Sequence, residues 1–122
     1  MSVAEFGKIV FEEATRAKVM ARIGYFGPSS SGKSLSGLRC ARRLQEIIEP
    51  GKKFAVIDTE HARVHLYAEE PEFKHPSLDG AWFRVYSLRA PYSPAHYIAA
   101  IDQAERAGAT VLFIDSISHE WF

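Results

Sequence analysis

The sequence predicts an α/β fold with a mainly parallel sheet covered on both faces. Short apolar runs that read as strands alternate with amphipathic stretches that read as helices, an order that implies right-handed βαβ crossovers. The strand-like runs are largely apolar, as when helices cover both sides of a sheet. A chain of 122 residues has room for one core, hence one small domain.

Residues 6–17 mix apolar and charged positions at roughly helical spacing and are read as a short helix. Val19 to Phe26 is a compact apolar run, broken only by Arg22 and Gly24 and closed by Gly27-Pro28, and reads as a buried strand. From Lys33 onward, Leu35, Leu38, Ala41, Leu44 and Ile47/Ile48 recur three or four apart. Arg39, Arg42, Arg43 and Glu46 occupy the other side, so this is an amphipathic helix, ended by Pro50-Gly51. Phe54 to Ile57 is a second strand, running into Asp58-Thr59-Glu60. Residues 61–70 are read as a helical turn and Pro71 to Gly80 as a loop. Trp82 to Leu88 alternates as a third strand. Ser93 followed by Pro94 is a helix start, and Tyr97, Ile98, Ile101 and Ala104 carry that helix to a stop at Gly108. Thr110 to Asp115 is the fourth strand.

Lys and Arg number 15 and Asp and Glu 15, so no global basic field points to a nucleic-acid partner. Cys40 is the only cysteine, which excludes an intrachain disulfide and a cysteine zinc cluster and fits a reducing cytosol. The N-terminal residues lack the uninterrupted apolar stretch of a signal peptide or membrane span, so a cytoplasmic, membrane-free setting is expected.

Gly27-Pro28-Ser29-Ser30-Ser31-Gly32-Lys33-Ser34 carries the chemistry. A Gly-x-x-x-x-Gly-Lys-Ser loop has glycines where the backbone turns its amides inward, a lysine that reaches the outer phosphates and a hydroxyl that ligates Mg²⁺. Here it lies between a strand and a helix, whose N-terminal amides and dipole favour an anion. Asp115 ends an apolar strand, as expected of the carboxylate that holds Mg²⁺ through water. Glu60 lies just beyond a strand end, on the sheet edge where α/β ligands bind, and is either a group that acts on the attacking water or a solvated loop residue.

Gly27 to Ser34, Ala55 to Ala62 and Val111 to Ser116 together resemble, in order and spacing, the nucleotide-binding core of RecA-type recombinase ATPases. The likeness covers most of residues 19–120 and is nearest to the short RecA-like ATPases of bacteriophages implicated in single-strand annealing. It implies a three-layer P-loop NTPase core that binds ATP with Mg²⁺, with Gly27 to Ser34 on the phosphates, Ser34 and Asp115 on the metal, and Lys33 and Glu60 in catalysis. It also suggests that Tyr67 covers the adenine, against the alternative of a core tyrosine. The resemblance further implies single-stranded DNA as a partner of the full-length protein, and the host cytoplasm as the setting if the chain is phage-encoded. Val64 stands where the recombinases often place an acidic residue for the adenine amino group, which leaves base selectivity unassigned.

In RecA-like folds a central strand, the DNA-binding loops and a γ-phosphate sensor follow the strand that ends in the metal carboxylate. Residues 1–122 are therefore expected to be the N-terminal part of a single domain, incomplete at the C-terminus, and the isolated chain is expected to be marginally stable or to form homo-oligomers. His119 and Glu120 read equally as nucleotide reporters or as loop. The Arg39/Arg42/Arg43, Lys52 and Lys53 group reads as a solvated face, because Glu46 and Glu49 dilute it and no aromatics interleave. His61 and His65 lack a third ligand and carry no metal assignment. Two alternatives stand beside the ATPase reading: a P-loop nucleotide or small-molecule kinase, and a nucleotide-binding module without turnover.

Overall fold

The computed structural model describes residues 6–14, 32–60 and 63–116. Helix α1 spans Lys33–Ile48, strand β1 Phe54–Asp58, β2 Phe83–Ser87, helix α2 Pro94–Arg106 and β3 Leu112–Asp115, with short 3-10 turns at Arg63–Glu69 and Pro71–Phe73. The three strands form one parallel sheet in the order β2-β1-β3. Consecutive strands are joined through helical segments, as parallel pairing demands.

Residue parity divides the core into two layers. Phe54, Val56, Phe83, Val85 and Phe113 lie on one face with Leu35, Leu38 and Ala41 of α1 and with Val64, Tyr67 and Phe73 from the turns. Ile57, Leu112 and Ile114 lie on the other with Tyr97, Ala100 and Ile101 of α2. Asp58 pairs in register with Asp115, and both share the parity of the α1 face. The strand-end carboxylates are thus set toward the helix that follows the glycine-rich loop.

The sequence reading holds for the described strands and for α2. Ser93 caps α2 by accepting a hydrogen bond from the His96 amide, Pro94 stands in the first turn, and Gly108 adopts φ 85° just past the end. Three particulars differ. Residues 7–14 are not helical: Gly7 sits at φ 71°, and Ile9, Val10 and Phe11 are exposed, so a short helix there has no packed face among the described residues to stabilise it. The buried stripe of α1 runs Leu38, Ala41, Gln45, leaving Ile47 and Ile48 exposed. Gln45 Nε2 donates to the Glu49 carbonyl and its Oε1 accepts from Thr110, so this buried amide closes the helix end as an apolar residue would not. Pro71 to Gly80 is a loop that begins with a 3-10 turn and is tied by buried His75, whose Nδ1 accepts from the Ser77 and Leu78 amides while Nε2 donates to the Pro50 carbonyl. The strand expected over Val19 to Phe26 falls outside the described residues.

Gly37 lets α1 approach β3 closely. A Cβ placed there would come within 2.5 Å of the Phe113 ring. Gly37→Val is therefore expected to lower stability by about 1–3 kcal/mol through overpacking, seen as a lower urea midpoint. An unchanged midpoint would show that the ring yields freely.

Candidate functional site

The site lies where the C-terminal ends of β1 and β3 meet the first turn of α1. Gly32 takes φ 82°, a left-handed conformation that favours glycine, and no side chain caps the helix behind it. The first amides of such a helix lack intrahelical acceptors and offer an anion site. Lys33 and Ser34 are the first two helical residues. Ser34 Oγ donates to Asp115 Oδ2 at 2.7 Å, joining residues 81 positions apart.

Asp115 is buried and 4% exposed. Its carboxyl is pushed above the ordinary carboxylate range, chiefly by burial; the Ser34 hydroxyl opposes this, the charges of Glu60 and Asp58 add to it, and Lys33 opposes it. Three carboxylates thus share one sheet edge with one lysine.

Glu60 is brought to the same edge from β1. Its amide donates to Asp58 Oδ1 at 2.8 Å, and its Oε1 accepts from Ser116 Oγ at 3.1 Å. Thr59 fastens the turn after β3: its amide donates to the Asp115 carbonyl at 2.8 Å, and its Oγ1 accepts from the Ser116 amide at 2.9 Å. Tyr97, from the opposite layer, donates its hydroxyl to the Ser116 carbonyl at 3.0 Å. The Asp115–Ser116 peptide is cis.

Of the residues singled out in the sequence, Lys33, Ser34, Glu60 and Asp115 come together. Gly27, Pro28, Ser29, Ser30 and Ser31 lie outside the described residues, as do His61, His119 and Glu120. Tyr67 is half-buried, its ring edge-on to Phe73 at 6.3 Å between centroids, within the α1-side core. Val64 is fully buried there too. The basic group on α1 is engaged on the surface: Arg39 makes a two-pronged bridge to Glu72, Arg42 lies over Trp82 and beside Glu46, and Arg43 also reaches Glu46.

Sequence reasoning gave no role to Asp58, Thr59, Ser116 or Tyr97. Asp58 had a usable signal, since it ends a strand as Asp115 does and pairs with it if the strands stop in register. Its Oδ2 is buried without a hydrogen-bond partner among the described residues.

Among the described residues no group of three or more His, Cys, Asp or Glu side chains converges to hold a metal unaided, and no helix is long and apolar enough to cross a membrane. An apolar cavity of about 320 Å³ lies against α2, lined by Ala55, Ile57, Tyr86, Ala100 and Ala104 among others, on the other side of the sheet from the carboxylates. Comparison with family models, curated proteins and solved structures returned no match.

Proposed function

We propose that the chain binds and hydrolyses ATP as a RecA-like P-loop ATPase, and that the whole protein couples this to single-stranded DNA in recombination. The observation that carries the reading is the Ser34 to Asp115 hydrogen bond. It joins the hydroxyl and the carboxylate that motif chemistry assigns to Mg²⁺, at the start of a helix with no side-chain cap.

The donor set suits that ion. Mg²⁺ takes one or two protein oxygens and fills its remaining positions with waters and phosphate oxygens. An unpaired buried oxygen on neighbouring Asp58 adds negative character to the site. Ser34 would hold the ion directly and Asp115 through water, and the ion, when bound, neutralises charge on the phosphates.

The chain's own residues do the rest. Amides at the start of α1 and the Lys33 ammonium bind the phosphate tail, and Lys33 offsets the charge that develops as the bond from the γ-phosphorus to its bridging oxygen breaks. Glu60 orients a water and takes its proton as the water oxygen bonds to phosphorus, releasing ADP and phosphate. Gly27 to Ser31 enter this reading through the sequence alone, and the DNA step through the resemblance alone.

The test is Mg²⁺-dependent ATP turnover, with and without single-stranded DNA, in the protein and in Lys33→Ala. Loss of the ammonium is expected to weaken ATP binding roughly 30-fold or more. Binding indifferent to Lys33 would overturn the reading. Phosphate appearing on a small-molecule acceptor instead of in water would replace it with a kinase.

A further inference from the structure

We infer that Ser116 is a positioning residue for Glu60, an assignment that rests on the ATPase reading and specifies how its water-activating group is held. Glu60 is tied at two points. Its main chain is fixed by the Asp58 carboxylate, and its side chain by the Ser116 hydroxyl donating to Oε1. That hydrogen bond engages one carboxylate oxygen, and a carboxylate needs one oxygen for the water whose proton it accepts.

Ser116 is itself held through its backbone. Its amide donates to Thr59 and its carbonyl accepts from Thr59 and Tyr97. The hydroxyl is therefore presented from a turn fastened on two sides, directly after Asp115. The last residue of β3 and the residue after it then set both the metal-holding carboxylate and the base, and Ser116 is the link between them. A glutamate free to sample several rotamers would spend little time within hydrogen-bond reach of the water, and small misplacements of this kind cost orders of magnitude in rate.

Ser116→Ala removes the donor and leaves the three backbone bonds available. It is expected to lower kcat about 10-fold or more while leaving the affinity for Mg-ATP and KM within about twofold, because the phosphate-binding groups are untouched. Ser116→Thr restores the hydroxyl and is expected to recover most of kcat. In a Glu60→Ala background, which leaves the Ser116 hydroxyl nothing to orient, the alanine change should leave the residual rate where it was, since Ser116 acts through Glu60. A second readout needs no turnover: in nucleotide-free crystals of Ser116→Ala, the Glu60 carboxylate should leave the position it holds in the parent.

Unchanged kcat in Ser116→Ala, or a fall that the threonine fails to reverse, overturns the assignment. So does an equal fall with and without Glu60. If the alanine variant does not fold, Ser116→Cys, a weaker donor of similar size, must lie between serine and the inactive limit. A parent protein with no Lys33-dependent turnover sinks the ATPase reading and this inference with it, whereas an active parent and an unaffected Ser116→Ala sink this inference alone.

Discussion

Asp115→Asn is expected to abolish Mg²⁺-dependent ATP binding at micromolar nucleotide and, at the same time, to make the nucleotide-free protein more stable near neutral pH. The two effects have one cause. A buried carboxylate beside Asp58 and Glu60 is costly to ionise, and its carboxyl is accordingly pushed above its ordinary range, mainly by burial. The amide keeps the shape and can still accept from Ser34, but it carries no charge for a metal.

The sign of the pH dependence follows. Asp115 binds its proton more readily in the folded chain than in the unfolded one, so the folded state holds more protons between the ordinary carboxylate value and the raised one. Across that interval stability falls as pH rises, and the loss is complete above the raised value. Urea titrations of parent and Asp115→Asn from acid to neutral pH should therefore show the variant gaining on the parent as pH rises, then levelling. A gap that is constant, or that closes toward neutrality, would show that the carboxylate is not strained in the folded state.

Glu60→Gln is expected to keep ATP binding and to lower kcat by about 10²–10⁴-fold, the range for removing a positioned general base. Glutamine can still accept from Ser116 and can still orient a water, so the part of the rate that survives measures orientation without proton transfer. The side chain is half-buried and its Oε1 is held by Ser116, and the proposed role acts on water, not on the phosphates, which is why binding should persist. Single-turnover kinetics with a filter-binding assay separates the two quantities. Turnover retained in full would remove Glu60 from the chemistry, and binding lost together with turnover would make it a phosphate-site residue instead.

The parts of this molecule that were readable in the sequence are those governed by short-range rules. Ser93-Pro94 marks a helix start because cap and ring geometry act within one turn, and Phe54 to Asp58 reads as a strand because both of its faces are covered. Ser34, Glu60 and Asp115 could be singled out because each stands at a fixed offset from a strand end or a helix start. The network that joins them was not readable. Thr59, Ser116 and Tyr97 make their bonds across 56, 57 and 19 positions, through a register that no local pattern encodes. Residues 6–17 misled for the opposite reason: they have roughly helical spacing, but the described part has Gly7 in a left-handed conformation and exposed apolar side chains. Gln45 misled more mildly, since a polar side chain that is fully buried breaks an apolar stripe while serving the same layer.

The phenol of Tyr97 reaches through the level of the sheet, from the layer packed on one side to the carbonyl that follows the carboxylate serving the other. The helix that carries it packs on the face away from Ser34 and Asp115, yet this bond ties it to the turn that follows Asp115. Under the proposed ATPase reading, a partner pressing on the outer surface of α2 would be felt at the catalytic edge through this bond, without meeting the nucleotide.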